Sequence, residues 1–201
     1  MKRIGLSLIF SVTLVITSCK NENTTAEERV DEHTNLTKGL EEAGPGDTYI
    51  EDQELILDME PRSGSDVSGT VTFTEVNGEV TMTADLSGLS EGMHAIHIHE
   101  NADCSAEDGT SAGGHWNPTF EDHGEWGDVD GYHKGDIGNF DVNSNGEGSI
   151  TFTTDQWCIG CEDETKNIIG KSVIVHEGVD DYTSQPSGAA GTRIGCAEIT
   201  E

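Results

Sequence analysis

Positive charge is scarce in this chain. Its 201 residues hold ten lysines and arginines against 39 acidic residues, for a formal net charge of −29. From Ser63 onward only Lys134, Lys166, Lys171 and Arg193 are basic. No basic patch exists to neutralise phosphates, which excludes nucleic acid as a partner. Long apolar runs are missing too. The one between Ile4 and Ile16 is too short to span a membrane as a helix. It follows Lys2 and Arg3 and reads as the apolar part of a secretory signal. No helix of normal length and no internal repeat can be read anywhere, which leaves strands to build the core.

The signal ends at "ITSC", and no A-x-A cleavage site competes with it. A small residue before a cysteine resembles the cleavage box of bacterial lipoproteins, in which the cysteine, here Cys19, is lipidated. The alternative is an ordinary signal peptide cut near a cysteine. Residues 1–19 are thus expected to be a lipoprotein signal peptide. Residues 20–52 are polar and acidic and cannot bury enough surface to order themselves; they are expected to be a flexible tether carrying His33 as a solvated bystander. Residues 53–201 form the domain, which is expected to be exported and lipid-anchored to a bacterial membrane, on its periplasmic or cell-surface side. Export sets the chemistry of Cys104, Cys158, Cys161 and Cys196, because thiols pair in an oxidising compartment. Four cysteines allow three connectivities, and spacing alone does not choose among them.

Within the domain, short alternating runs dominate. "ELILDM" predicts a first strand, and two period-2 stretches around Asn77-Gly78 predict a hairpin. "MHAIHIHE", "IGNFDVN", "GSITFTT", "KSVIVHE" and "TRIGCAEIT" complete a set of eight or so strands, the pattern of an antiparallel sandwich or barrel. One interruption stands out. Residues 101–136 have no lasting period yet contain His115, His123, His133 and Asp136. A loop this long in a compact domain is functional or disordered.

The histidines supply a chemistry for it. His97 and His99 share one face of a strand, roughly 7 Å apart, while His94 points to the other. With His176 they offer a nitrogen set suited to Cu(II). His123, His133 and Asp136 with one further imidazole make a tetrahedral zinc set. His115 lies between the groups in sequence, and a deprotonated imidazole can bridge two metals.

The segments "HAIHIHENADCSAEDGTSAGGHWNP", "YHKGDIGNF" and "VIVHEGVDDYTSQPSGAAGTRIGCAEI" resemble the copper/zinc superoxide dismutases, from about Gly69 to Ile199. The resemblance implies an all-β, eight-stranded Greek-key barrel with long metal-binding and electrostatic loops. It assigns copper to His97, His99, His115 and His176, and zinc to His115, His123, His133 and Asp136, one ion of each per chain. Asp180 matches the aspartate that hydrogen-bonds ligand histidines of both metals, Arg193 the arginine that attracts the superoxide anion, and His94 a histidine that binds no metal. Cys104 and Cys196 match the family disulfide. Superoxide is the implied substrate, with His115 as the implied proton carrier. A homodimer is left open, because the family also includes monomers.

Two features depart from the family pattern. "CIGC" inserts Cys158 and Cys161, for which a local disulfide is the preferred reading over free or reactive thiols. Residues 177–192 contain no lysine, and Lys134 is the sole base of the long loop, so Arg193 is expected to act nearly alone. A non-catalytic copper/zinc-binding or copper-carrying module on the same fold is the main alternative, but a carrier need not keep His115, Asp180 and Arg193 together. An adhesive surface domain would explain the tether and none of the ligands.

Overall fold

Alternation of apolar and polar side chains drives the strands to curl around one interior. The computed structural model describes residues 53–201; the expected signal peptide with Cys19 and the expected tether lie outside the described residues. Eight antiparallel strands close into a barrel in the order β1-β2-β3-β6-β5-β4-β7-β8. They are β1 (Gln53–Pro61), β2 (Ser68–Val76), β3 (Glu79–Ser87), β4 (Gly92–His99), β5 (Gly138–Val142), β6 (Gly148–Thr154), β7 (Lys171–His176) and β8 (Arg193–Ile199). Their limits fall within a residue or two of the alternating runs. The one helical element among the described residues is a three-residue 3-10 turn at Thr110–Ala112.

Pairing density divides the barrel into two four-stranded sheets. β2 and β3 pair over nine positions across the Asn77-Gly78 turn, where both residues take positive φ (55° and 82°) as the hairpin requires. By contrast, β1 meets β8 at two residue pairs, and β5 meets β6 at the single pair Val142–Gly148. The interior between the sheets is filled by Leu57, Val71, Phe73, Met82, Ile96, Ile98, Val173, Val175 and Ile199, among others. Each large aliphatic or aromatic side chain removed from water there contributes about 1.5–3 kcal/mol.

On β4, Ile96 and Ile98 face this interior, and the intervening His97 and His99 face outward. They are nevertheless fully buried, because the segment 101–136 folds over them. That segment is tied to the sheet by a disulfide between Cys104 and Cys196, 92 residues apart. The second pair, Cys158 and Cys161, closes a local disulfide in the loop between β6 and β7.

Candidate metal centre

Three elements bring the histidines together. β4 supplies His97 and His99, and β7 supplies His176 at its end. The long loop is drawn onto β4 as an added rung, with Trp116 N–H donating to the Ile98 carbonyl and Ile98 N–H to the Gly135 carbonyl (2.8 and 2.9 Å). His115 therefore lies bridged to His99 across the backbone. Gly135 is required for this approach, since a Cβ there would stand 2.1 Å from the Ile98 carbonyl oxygen.

The side chains form two groups that share His115. Ligand atoms of His97, His99, His115 and His176 lie within 4.8 Å of one another, as do those of His115, His123, His133 and Asp136. All seven residues are buried. Asp136 gathers the second group, with its oxygens 2.8 Å from His115 Nδ1, 3.0 Å from His123 Nδ1 and 3.2 Å from His133 Nδ1. Ligand atoms about 2.0–2.1 Å from a tetrahedral zinc stand about 3.3 Å apart, so this set is spaced for that ion.

A second observation tests the fit. His97 Nδ1, His99 Nε2, His115 Nε2, His123 Nδ1, His133 Nδ1 and His176 Nε2 are buried without a hydrogen-bond partner. Leaving so many buried polar atoms unsatisfied is costly unless something else binds them. The opposite nitrogens are engaged. His97 Nε2 and His123 Nε2 donate to the two oxygens of Asp180 (2.8 and 2.9 Å), His99 Nδ1 to the Gly113 carbonyl (3.0 Å) and His176 Nδ1 to the Gly191 carbonyl (3.3 Å). These four rings are thus locked with the free nitrogen turned inward, as metal-binding imidazoles are. His94 stands apart, its ring nitrogens bridging the carbonyls of His176 and Ser90 (2.8 and 3.0 Å).

For His99, His115 and His176 electrostatics agree with neutral, metal-ready rings. Burial, reinforced by charge on His97, holds His176 down to about 3; burial likewise lowers His115 to about 4 against the pull of Asp136. His99 is pushed well below its ordinary value by burial and by its histidine neighbours. For His123, burial opposes the charge, but Asp136 and Asp180 outweigh it and raise the group to about 9. Asp136 itself stays far below the carboxylate range, because the imidazoles of His115, His123 and His133 close on its oxygens and overcome its burial.

Arg193 pairs with His176 across the β7–β8 ladder, and its Nη1 donates to the Gly109 carbonyl (2.8 Å). The remaining cations have other partners. Lys134 bonds Gln156, Lys166 bonds the Asp155 carbonyl, and Lys171 lies over the Trp116 ring. Arg62, a base just ahead of the stretch surveyed in the sequence, packs beside Gly109 and pairs with Glu60 at 2.7 Å.

Sequence reasoning missed several supports of the site. Asn139 exchanges hydrogen bonds with the Asp180 backbone, and Gln185 does the same with the His123 backbone (2.8–2.9 Å). Gly188, at φ 64°, lies where a Cβ would strike Asp180 Oδ1 at 1.8 Å. No spacing rule marks such residues; the Gly-rich "SGAAG" run was the one available signal.

A Greek-key barrel carrying two buried metal-ligand sets joined by one histidine defines a class of binuclear metalloprotein. Residues 67–199 match the copper/zinc superoxide dismutase (SODC) family, and the chain belongs to that family. It is 33% identical over 155 residues to the Cu-Zn superoxide dismutase of Neisseria meningitidis serogroup A, covering 72% of this chain and 80% of the relative. The corresponding protein of Haemophilus parainfluenzae is also 33% identical over 155 residues, with 72% and 79% covered. Among solved structures, a double mutant of a SOD-like protein from Bacillus subtilis superposes with a TM-score of 0.65 at 29% identity, covering 73% of this chain and 97% of the other.

Proposed function

We propose a division of labour for a chain that dismutes superoxide to dioxygen and hydrogen peroxide with copper and zinc as its cofactors. His97, His99, His115 and His176 would hold copper; His115, His123, His133 and Asp136 would hold zinc. The observation that carries this reading is the set of six inward-facing ring nitrogens without hydrogen-bond partners, divided between two groups that meet at His115. Asp180 serves both groups by fixing the tautomers of His97 and His123.

When bound, copper would supply a one-electron couple between the two half-reactions, and zinc a fixed positive charge. The protein moves the proton and guides the anion. His115 is held through Nδ1 on the Asp136 side, which leaves Nε2 to take up a proton between the two half-reactions and deliver it to the reduced oxygen species. Arg193 pairs with His176 along the ladder, and its charge, felt at His99 and His176, attracts the anion before reaction. Elemental analysis of the loaded protein, paired with a superoxide-consumption assay, tests this: one copper and one zinc per chain are expected, and loading by a single metal would overturn the shared-histidine assignment.

We further propose the domain limits given above and anchoring through lipid on Cys19, supported by "ITSC" after a short apolar run and by the acidic stretch that follows. In detergent phase partitioning the wild type should enter the detergent phase and Cys19→Ala the aqueous phase; equal partitioning would reject lipidation.

A further inference from the structure

The "CIGC" insertion has no counterpart in the family pattern, and neither metal set uses it. Its position is informative. The residues just ahead of Cys158 grip both neighbours of His133. Tyr132 Oη lies 3.1 Å from Gln156 Oε1 and 2.7 Å from Gln156 Nε2. The Lys134 ammonium donates to the same Gln156 Oε1, and Trp157 Nε1–H donates to the Lys134 carbonyl at 2.9 Å. His133 is therefore bracketed by two residues whose polar groups are all directed at the loop after β6.

The grip extends to the segment between His123 and His133. Trp126 packs on Tyr132 (4.9 Å between ring centroids), on Phe152 (4.8 Å) and on Trp157 (5.8 Å). Trp126 of the metal loop, with Tyr132 against it, thus packs edge-on against one aromatic from β6 and one from the loop after it. Trp157 is fully buried and cannot move without disturbing this cluster.

The disulfide closes the turn that fixes these residues. Cys158 N–H donates to the Lys166 carbonyl and Ile168 N–H to the Cys158 carbonyl (2.9 and 3.1 Å). Asn167 binds the turn from inside, accepting from Gly160 N–H and donating to the Cys161 carbonyl (both 3.0 Å). Ile159 N–H is taken by Glu75 of β2 at 2.7 Å, which joins the turn to the first sheet.

We infer that Gln156 and Trp157 are positioning residues for the zinc ligand His133, and that the Cys158–Cys161 disulfide keeps them in place. The inference rests on the zinc assignment made above. It treats the insertion as an outer brace: two residues away from any ligand atom set the backbone from which His133 Nδ1 meets Asp136.

The test uses the full-length protein and reads zinc affinity by competition with a chromophoric chelator, together with the visible spectrum of cobalt(II) in the zinc site. Removing a residue that orients a metal ligand costs about 10- to 100-fold in affinity. Gln156→Ala and Trp157→Phe should each weaken zinc about tenfold and shift the cobalt bands, leaving copper affinity at the His97 set unchanged. Gln156→Glu retains an acceptor for Lys134 and Tyr132 and should restore the wild-type values. The double variant Cys158→Ser, Cys161→Ser should shift both readouts in the same direction by less. Because Trp157 is buried, Gln156→Ala decides the matter if Trp157→Phe misfolds. Zinc affinity within twofold of wild type with an unchanged cobalt spectrum in Gln156→Ala would overturn the positioning role, and the same result in the double cysteine variant would overturn the role of the disulfide. A wild-type protein that takes up neither zinc nor cobalt would instead overturn the zinc assignment itself.

Discussion

The two sheets of the barrel obey different rules. In the first, β2 and β3 alternate buried and partly exposed residues along their length, with Phe73, Met82 and Ala84 inside and the Thr81–Thr153 and Thr83–Thr151 hydroxyl pairs outside. In the second, β4 is buried at six successive positions from His94 to His99, and β7 at five from Ser172 to His176. Neither strand faces water. A sheet covered on both sides normally reads as an unbroken apolar run. Here the imidazoles of His97, His99 and His176 stand in the outer layer, and the long loop covers them. The lesson is that alternation locates the scaffold, and buried polar residues that break it locate the chemistry.

The largest expected effect follows from the outer face of β4. His97→Ala should abolish copper binding and superoxide consumption while zinc remains, as read by elemental analysis and activity on the same sample. Thr81→Ala, on the outer face of the first sheet, should change stability by no more than about 0.5 kcal/mol and leave metal content alone. Loss of zinc together with copper in His97→Ala would show that the two sets are not separable, and would weaken the contrast between scaffold and site.

The next expectation concerns the metal-free chain. His99, His115 and His176 are held neutral by burial, with folded values below the ordinary 6.5 and near 4 and 3 for the last two. Between these limits the unfolded chain binds more protons than the folded one, so stability is full above about pH 6.5 and falls as the pH drops. His123 runs the opposite way: raised to about 9, it adds stability below its ordinary value that is lost as the pH rises through 9. Urea midpoints of the chelator-treated protein should therefore decline steeply on the acid side and gently on the alkaline side. A flat profile from pH 7 to 4 would contradict neutral burial of these rings.

Arg193→Glu gives the smallest of the three effects. A unit charge about 6 Å from the anion is worth roughly 0.7–1.4 kcal/mol at an effective dielectric of about 80 down to 40. Reversing it doubles the change and slows the reaction about 10- to 100-fold. The wild-type rate should depend weakly on salt, because one arginine opposes many acids. Pulse radiolysis across ionic strengths reads both; an unchanged rate in copper-loaded Arg193→Glu at low salt would remove Arg193 from the substrate path.

Most of the scaffold was legible, because period-2 alternation and the Asn77-Gly78 turn act over a few residues. The histidines were legible as a set, since H-x-H on a strand and a His-rich loop without a core are local signals. Their supports were not. Asn139 meets Asp180 across 41 positions and Gln185 meets His123 across 62, and an amide carries no mark of a partner so far away in sequence. Gln156 and Trp157 were passed over for the same reason. The insertion drew notice through its cysteines, whereas the contacts that join it to the metal loop belong to the residues before them.

The two thin seams also have a mechanical meaning. β1 begins and β8 ends at the same edge of the barrel, and their ladder holds two pairs, Glu60–Cys196 and Pro61–Gly195, continued by Arg62 N–H donating to the Ile194 carbonyl at 2.9 Å. A load applied between the two ends of the folded domain would act on that edge as on a zipper, opening one joint at a time instead of shearing many together. The seam would part while the β4–β7 ladder, with four residue pairs beneath the histidines, stayed closed. Under such a load the barrel would open first at that edge, leaving the strands that carry His97, His99 and His176 paired with each other.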